Sequence, residues 1–407
     1  MSIKTIKSPI YNSFELTHSC HINCPGCIIN LSHKRKNKGF LRPWKQVIDA
    51  LKDCSVYLRL TGGEPTLHPE FLNIVNYLKE IKLPFLIFTC GSFQNITQLT
   101  QILKETETFL GFLVSLHGDN EETFKNFTQQ DNCFNQAIKF IEHVANSDLP
   151  VYTTTVLCDK IADRIEKITK FAIELGVTAV HFNRYLGRPI KELEISEPNL
   201  ISTVQQIEDL RTKGVSTLIG NCIPQCFVRY EHLEYQIPGL TSCTITPDGT
   251  IQPGHFPLNL GNILEQSIEE IWVSKRLLEW LQDIPEECKQ CVYVNVCPGG
   301  SRALANYLKV KQDPLIRDPI TEPEVVEIEL SENLIPNVFE ETKIRREKFG
   351  YLLYNFNTIY PINKEGHEVI KKIFENRMNV GEFNQLFGFD TVNLIGELYH
   401  RNMIELI

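Results

Sequence analysis

The first half of the chain alternates short apolar segments with longer amphipathic ones. Six runs rich in β-branched and aromatic residues lie at residues 13–17, 56–60, 85–89, 110–116, 151–157 and 179–182. The segments between them carry apolar residues at helical spacing. Strands that alternate with helices predict six βα units, whose right-handed crossovers make the strands parallel in one sheet. We therefore expect an α/β fold, a partial (β/α)6 barrel of the TIM type, with functional groups at the carboxyl ends of its strands.

Beyond residue 182 the pattern changes three times. Residues 220–310 hold loops, short apolar runs, one helical stretch and six of the cysteines, which is typical of a module held together by metal. The prolines and glutamates of the following segment indicate an extended linker. The last segment combines a strand at 349–355 with helical stretches at 367–375 and 392–403, as in a small α+β domain. We expect four parts, at residues 1–219, 220–310, 311–339 and 340–407.

Composition excludes several classes of protein. With 407 residues, 42% of them hydrophobic, the chain is long enough for more than one core. The net charge of −9 argues against a nucleic-acid partner, since binding that polymer needs Lys and Arg on its phosphates. No apolar run has the length of a signal-peptide core or a membrane span, so we expect a cytoplasmic protein with no membrane partner. In that reducing compartment the 13 cysteines indicate metal ligands and buried thiols rather than disulfides.

Three cysteines follow the first predicted strand in the order CHINCPGC. Cys20, Cys24 and Cys27 place three thiolates on one loop and leave one coordination site of a bound metal open, as catalysis requires. Thiolates favour an iron–sulfur cluster or zinc. A zinc site would need a fourth ligand, which His18 or His21 can supply. The motif favours the cluster and leaves zinc open.

A second motif, TGGEP, follows the second predicted strand. The paired glycines Gly62 and Gly63 allow a close backbone approach, Glu64 can receive an ammonium group, and Pro65 ends the turn. Alone, the motif is also compatible with a plain tight turn. Its position one βα unit after the cysteine loop makes the pair specific, because both motifs then lie at the same end of the sheet.

Together the two motifs resemble those of the radical S-adenosylmethionine (SAM) superfamily, and the resemblance covers residues 10–310. It implies that the three cysteines bind three irons of a [4Fe-4S] cluster, that SAM chelates the fourth iron, and that residues 62–65 hold its amino group. Ser115 and Asn183 match positions that contact the nucleoside. An electron from a low-potential donor, a flavodoxin or a ferredoxin, would cleave SAM to a 5′-deoxyadenosyl radical that abstracts a substrate hydrogen.

Two residues depart from the family's pattern. The residue before the last cysteine of the loop is usually aromatic and packs near the adenine, whereas this chain has Gly26. The adenine would then need another side chain to pack against. Cys90 follows the third predicted strand, where Asn is common. It is either a small buried thiol or a catalytic hydrogen-atom donor that faces the radical.

Residues 220–310 resemble the SPASM or twitch domains that hold auxiliary clusters. The resemblance lies in Cys243 before TPDGT, in LGNILEQSIEEIW, and in the spacing of Cys288, Cys291 and Cys297. The full SPASM pattern has further cysteines where this chain has Gly254 and Ser301, and no cysteine follows Cys297. The resemblance therefore implies one auxiliary [4Fe-4S] cluster in place of two.

The fourth ligand of that auxiliary cluster has several candidates. Cys243 is the first choice, Cys226 and Cys222 come next, and His255 is a possible substitute beside Gly254. A zinc ribbon built from the same cysteines is the other interpretation.

Residues 340–407 resemble a third family, the PqqD-like winged-helix domain called the RiPP recognition element. FGYLLYNFN, INKEGHEVIKKIF and VNLIGELYHRNMIEL carry this resemblance. Such domains bind the leader of a precursor peptide by strand addition. A helical cap on the barrel is the alternative.

The three resemblances combine into one hypothesis, a radical SAM maturase that modifies a ribosomally synthesised precursor peptide (RiPP). Two rivals stay open. One is a radical SAM enzyme that modifies tetrapyrrole side chains, and the other is a non-catalytic iron–sulfur scaffold that binds peptides.

Overall fold

The computed structural model describes residues 5–31, 39–93, 95–187, 189–230, 236–322, 330–375, 378–388 and 390–407. Within them the chain forms two compact units. The first contains residues 8–320, and the second contains residues 5–7 and 321–407. Among the described residues no helix is both long enough and apolar enough to span a bilayer.

The first unit alternates strands and helices over most of its length. Its strands are β1 Tyr11–Thr17, β2 Tyr57–Gly62, β3 Phe85–Thr89, β4 Phe109–Ser115, β5 Val151–Leu157, β6 Ala179–Arg184, β7 Thr217–Ile219, β8 Ser242–Ile245, β9 Thr250–Gln252 and β10 Gly261–Asn262. Its helices are α1 Ile28–Leu31, α2 Trp44–Leu51, α3 Phe71–Glu80, α4 Ile96–Lys104, α5 Glu121–Thr128, α6 Cys133–Ala145, α7 Ile165–Glu174, α8 Glu197–Thr212, α9 Ile268–Trp272, α10 Lys275–Gln282 and α11 Arg302–Leu308.

Within the described part of the chain, these strands form one sheet in the order β10-β9-β8-β1-β2-β3-β4-β5-β6-β7. All neighbours from β1 to β7 are parallel. The predicted α/β fold with a parallel sheet is confirmed. The pattern predicted six strands and missed β7, which pairs with β6 and has only three residues.

The register of this sheet brings polar side chains of different strands onto one face. In β5, buried side chains alternate with partly exposed ones. Ser115 at the end of β4 pairs with Thr154 of β5, and Val156 of β5 pairs with Asn183 of β6. Because paired residues of parallel strands point the same way, Ser115, Thr154 and Asn183 share the partly exposed face.

The auxiliary segment extends the same sheet on its other side. Strand β8 pairs in parallel with β1, and β9 and β10 continue as antiparallel strands. Residues 242–262 of the auxiliary segment therefore share a hydrogen-bonded sheet with the βα units.

A buried ion pair holds the chain after α11 against β6. Arg184 donates to both carboxylate oxygens of Asp313 at 2.8 and 2.9 Å, and the N–H of Ser301 donates to the same carboxylate at 2.7 Å. The predicted linker of residues 311–339 thus begins inside the first unit, which extends to residue 320. Residues 323–329 of that linker lie outside the described residues.

The second unit contains two small antiparallel sheets and a helical layer. Its strands are β11 Pro336–Val338, β12 Lys343–Glu347, β13 Gly350–Tyr354, β14 Ile359–Ile362 and β15 Ile404–Leu406, and its helices are α12 Lys364–Glu375, α13 Val380–Phe387 and α14 Asp390–His400. One sheet has the order β12-β13-β14, and the other pairs β11 with β15. Its core includes Leu353, Ile370, Phe383, Ile395 and Leu398.

We expect Asp313→Ala to destabilise the first unit by about 3–5 kcal/mol, because the substitution leaves the buried guanidinium of Arg184 without its partner. Asp131→Ala is the matched control, since Asp131 makes an exposed ion pair with Lys125 and exposed pairs contribute little. Urea unfolding followed by tryptophan fluorescence reports on this unit, because Trp44, Trp272 and Trp280 all belong to it. Equal stabilities of the two variants would contradict the prediction.

Candidate active site

Backbone hydrogen bonds join the TGGEP turn to the chain that precedes the cysteine loop. The N–H of Gly63 donates to the carbonyl of Thr17, and the N–H of Glu64 donates to the carbonyl of Ser19, both at 2.7 Å. The two segments follow β1 and β2, which are parallel neighbours. The turn is therefore tied to the residue directly before Cys20.

Both glycines of the turn are required by this close approach. A Cβ atom on Gly63 would lie 2.0 Å from the carbonyl oxygen of Ser19, and one on Gly62 would lie 2.2 Å from that of Thr17. Gly62 also has a φ of +129°, which other residues rarely adopt. No larger residue fits at these positions while both backbone hydrogen bonds remain.

The three cysteines of the loop are partly exposed and lie at the end of the sheet. The N–H of Cys27 donates to the carbonyl of Cys24 at 3.2 Å, and α1 begins at the next residue. No group of three or more His, Cys, Asp or Glu side chains in the described ranges converges on one point, as a single ion would need. Thiolates that bind a cluster are spaced around it, since each binds a different iron. Three partly exposed thiols on one loop fit a [4Fe-4S] cluster better than a single ion.

Glu64 is completely buried, and its carboxylate accepts several hydrogen bonds. One oxygen accepts from the backbone N–H of Thr66 at 3.3 Å and from its hydroxyl at 2.7 Å. The other accepts from the hydroxyl of Thr89 and the N–H of Cys90, both at 2.9 Å, and from the Cys90 thiol at 3.1 Å. A carboxylate has about four lone-pair positions, so an ammonium group would have to displace one of these donors. Glu64 in this structure connects the turn to the end of β3.

Cys90 links that same strand end to the cysteine loop. A hydrogen bond to Cys20, burial, and the charge of Glu64 all raise the pKa of the Cys90 thiol far above its ordinary value. The thiol therefore stays protonated at neutral pH. Because its hydrogen bonds go to Glu64 and Cys20, the contacts support a positioning role. The hydrogen-atom donor of the sequence analysis stays a prediction.

Ser115 and Asn183 both lie next to Thr154, a residue that sequence analysis missed. The side-chain amide of Asn183 donates to the hydroxyl of Thr154 at 2.5 Å, and Ser115 is paired with Thr154 across the sheet. The only sequence signal for Thr154 was a polar residue on the alternating face of β5. The three side chains offer hydroxyl and amide groups at one end of the partly exposed face.

The space beside Gly26 is filled from other parts of the chain. A Cβ on Gly26 would lie 2.3 Å from Leu193 and 3.1 Å from the rings of both Phe127 and Tyr185. The ring of His117 lies 3.9 Å from that of Phe127, and burial lowers the pKa of His117 to about 3. Aromatic side chains thus surround the position where the family's aromatic residue is missing, and the glycine itself was the signal that could have pointed to them.

A second group of cysteines lies in the auxiliary segment. The N–H of Cys291 donates to the carbonyl of Cys288 at 3.1 Å. Burial, followed by the charges of Cys297, Cys226 and Cys291, raises the pKa of Cys288 to about 12. The sulfurs of Cys222 and Cys297 are 3.6 Å apart. Cys222 and Cys226, the candidates behind Cys243, are therefore linked to the predicted trio by a contact with Cys297 and by a charge effect on Cys288.

Cys243, the first choice for the fourth auxiliary ligand, lies elsewhere. It is buried in β8, and its thiol donates to the side-chain carbonyl of Asn12 at 3.0 Å. Burial and the nearby Cys54 raise its pKa well above the ordinary value, while Arg59 acts in the opposite direction. The sequence could not reveal this, because the partner is in β1 at the other end of the chain.

The other expected auxiliary positions are also occupied differently. His255 lies 3.6 Å from the carboxylate of Glu15, whose other oxygen is 2.9 Å from His18. Ser301, where the full pattern has a cysteine, caps the first turn of α11 by accepting from the N–H of Leu304.

We expect Gly63→Ala to lower the rate of SAM cleavage roughly 100-fold, because its Cβ would push the turn about 1 Å away from the cysteine loop. Gly214→Ala is the control. It has a positive φ of +82°, but nothing lies within 4 Å of the added Cβ. The assay is release of 5′-deoxyadenosine by reduced protein, with iron content measured alongside. Similar rates in both variants would contradict a steric requirement at residue 63.

Comparison with known proteins places these motifs in two families. The radical SAM superfamily model matches residues 14–172, and the SPASM iron–sulfur cluster-binding domain model matches residues 238–292. The AdoMet-dependent heme synthase of Methanosarcina barkeri is 27% identical over 328 residues, which cover 73% of this chain and 92% of the relative. The PqqA peptide cyclase of Ruegeria pomeroyi is 24% identical over 332 residues, 78% of this chain and 88% of the relative.

Among solved structures, Streptococcus suis SuiB bound to its precursor peptide SuiA has a similar fold, with a TM-score of 0.63 and 16% identity over 76% of each chain. The cysteine loop and the TGGEP turn both lie inside the first family match. A radical SAM domain implies a catalytic [4Fe-4S] cluster and SAM, and a SPASM domain implies auxiliary iron–sulfur clusters. The chain therefore contains a radical SAM domain followed by a SPASM domain, and it is a radical SAM enzyme.

Proposed function

We propose that this enzyme is a maturase that modifies a ribosomally synthesised precursor peptide. The observation that carries the proposal is the second unit, in which a three-stranded antiparallel sheet is followed by three helices. A sheet combined with helices is the kind of small α+β unit that the resemblance to the PqqD-like domain predicts. The PqqA peptide cyclase relative, by its name, acts on a peptide.

Cys20, Cys24 and Cys27 would hold the catalytic cluster, and the three-residue ligand set leaves its fourth iron for SAM. When bound, the cluster and SAM supply a 5′-deoxyadenosyl radical. The turn at residues 62–65 offers backbone groups to the methionyl end. The buried carboxylate of Glu64 fixes that turn against Thr89 and Cys90.

The nucleoside of SAM would lie along the partly exposed face. Ser115, Thr154 and Asn183 offer hydrogen-bonding groups there, and Phe127 with Tyr185 supplies aromatic surface beside Gly26. The neutral ring of His117 supports Phe127 without adding charge. A flavodoxin or ferredoxin would supply the electron.

The leader peptide would add to an edge of the second unit's sheet. The strand predicted at residues 349–355 is not available for this role, because β13 lies between β12 and β14 and is paired on both sides. The N–H of Asn355 donates to the carbonyl of Thr358. Since every second residue of an antiparallel strand bonds to the same neighbour, the backbone groups of Tyr360 and Ile362 also face β13. Ile359 then directs its N–H and carbonyl outward, and Pro361, which has no N–H, directs only its carbonyl outward. Strand β14 is therefore an available edge.

Three features of the second unit favour β14 over β12 for peptide binding. The guanidinium of Arg401, just after α14, lies 4.9 Å from the centre of the Tyr360 ring. The large apolar side chains of Phe374, Leu386 and Tyr399 are exposed on the helices of the same unit. Strand β12 instead carries Lys343 and Arg346 on its exposed positions, and such charges oppose strand addition.

A second candidate is modification of a tetrapyrrole, because one relative is a heme synthase. This function gives β14, the edge proposed to bind the leader, no role. The two candidates differ in whether activity depends on that edge.

We expect replacement of Cys20, Cys24 and Cys27 together by Ala to abolish production of 5′-deoxyadenosine, because no thiolate remains to hold the catalytic cluster. Production is measured after anaerobic reconstitution and reduction. Turnover equal to that of the unaltered protein would refute the ligand assignment.

We expect deletion of residues 340–407 to abolish peptide modification while uncoupled SAM cleavage continues. Both activities are measured on the truncated protein, with circular dichroism and iron content as checks of the remaining fold. Equal loss of both activities would support a structural cap, and full peptide modification would remove leader binding from the proposal.

Single substitutions test the edge itself. Ile359→Pro removes an outward N–H from β14 and should weaken leader binding roughly 10-fold or more, since it removes a buried peptide hydrogen bond. Arg346→Pro on β12 is the matched control. Glu347 pairs with Gly350 beside the tight turn that joins β12 to β13, so the next residue, Arg346, directs its backbone N–H away from β13. Fluorescence anisotropy of a labelled leader gives both dissociation constants. Weakening by Arg346→Pro alone would move the binding site to β12.

A further inference from the structure

Five cysteines of the first unit, away from the catalytic loop, are linked by a contact and by their charges: Cys222 lies 3.6 Å from Cys297, and the charges of Cys297, Cys226 and Cys291 act on Cys288. Three of them, Cys288, Cys291 and Cys297, belong to the SPASM spacing, and two come from the loop between β7 and β8. We infer that Cys226 is the fourth ligand of the auxiliary cluster beside Cys288, Cys291 and Cys297, and that Cys222 remains a thiol which donates a hydrogen bond to the sulfur of Cys297. Of the five, Cys288 and Cys291 lie within residues 238–292, which the SPASM model matches, and Cys222, Cys226 and Cys297 lie outside.

The loop before β8 folds over the sulfur of Cys297. The backbone N–H groups of Gln225 and Gly300 both donate to that sulfur. The N–H of Arg317 donates to the sulfur of Cys226 at 3.2 Å. Backbone donors directed at sulfur stabilise a negatively charged thiolate, and such hydrogen bonds tune metal-bound sulfurs in iron–sulfur proteins. Cys226 and Cys297 therefore have the surroundings of ligands.

The contact between Cys222 and Cys297 favours one of the two, and not both, as a ligand of a cubane cluster. Each iron of a [4Fe-4S] cluster takes one thiolate, so two ligand sulfurs are separated by a cluster edge and two outward iron–sulfur bonds. The observed separation of 3.6 Å is a contact distance, with Cys222 as the donor. Cys297 has two backbone donors as well, which makes it the ligand and Cys222 the supporting thiol.

The other candidates for an auxiliary-cluster ligand make contacts elsewhere in the unit. Cys243 donates to Asn12 inside the sheet, and His255 contacts Glu15. Ser301 caps α11 and also donates its N–H to Asp313, which is held by Arg184. The ligand positions that a second auxiliary cluster would need are used for these structural contacts.

The test measures iron and sulfide in a background that lacks the catalytic ligands. The unaltered full-length protein should bind about eight irons per chain, and the triple Cys20, Cys24 and Cys27 to Ala variant about four. In that background, Cys226→Ala should lose most of the remaining iron or convert it to a three-iron cluster, seen by electron paramagnetic resonance. Cys243→Ala is the matched control and should keep about four irons.

Cys222→Ala should keep the auxiliary cluster but shift its reduction potential to a more negative value, because a donor to a ligand sulfur is lost. Potentials are measured by anaerobic redox titration. If Cys226→Ala fails to fold, Cys226→Ser replaces it, because the serine oxygen can still bind the iron. An altered electron paramagnetic resonance spectrum of the Cys226→Ser variant then identifies residue 226 as a ligand.

Three results would overturn the inference. They are an unchanged cluster in both Cys226 variants, loss of the cluster in Cys222→Ala or Cys243→Ala, and zinc in place of iron at this site. None of these measurements uses a peptide, so their outcome is independent of the proposed substrate.

Discussion

Two backbone hydrogen bonds fix the distance between the two motifs on which the chemistry depends. They join Gly63 to Thr17 and Glu64 to Ser19, and they form only because no side chain separates the two segments at Gly62 and Gly63. The carboxylate of Glu64 then fastens the turn to the end of β3. Three consecutive strand ends are thus held together by hydrogen bonds within the protein. Preorganised dipoles of this kind need no rearrangement when charge develops.

The two cysteine sites differ in how completely the chain surrounds them. The catalytic loop offers three partly exposed thiols, which leaves one metal position for an exogenous ligand. At the auxiliary site the chain folds a loop back over Cys297 and directs backbone N–H groups at the sulfurs. A site closed in this way suits electron transfer or structural support, whereas the open one suits binding of a substrate or cofactor.

Much of this arrangement could be predicted from local patterns. Periodicity predicted the βα units, and adjacent parallel strands end at the same edge, which brought the cysteine loop and TGGEP together. Strand β7 was missed because three residues carry no measurable period. The position of β13 in the middle of its sheet depends on β12. The sequence of β12, KIRRE, is mostly charged, so it shows no alternation of apolar and polar residues that would predict a strand. The separation of Cys243 from the auxiliary cysteines depends on its contact with Asn12. No local pattern encodes partners that lie more than 200 residues apart.

The pairing of β8 with β1 has a consequence for the order in which the chain acquires structure. Tyr11 is paired with Ser242, so one edge of β1 stays open until the ribosome has made residues 242–245. Synthesis proceeds at about 5–20 residues per second, so this edge is exposed for roughly ten seconds or longer. An unpaired edge attracts other strands. The nascent chain therefore has a period in which β1, the strand that leads into the catalytic loop, is vulnerable to mispairing.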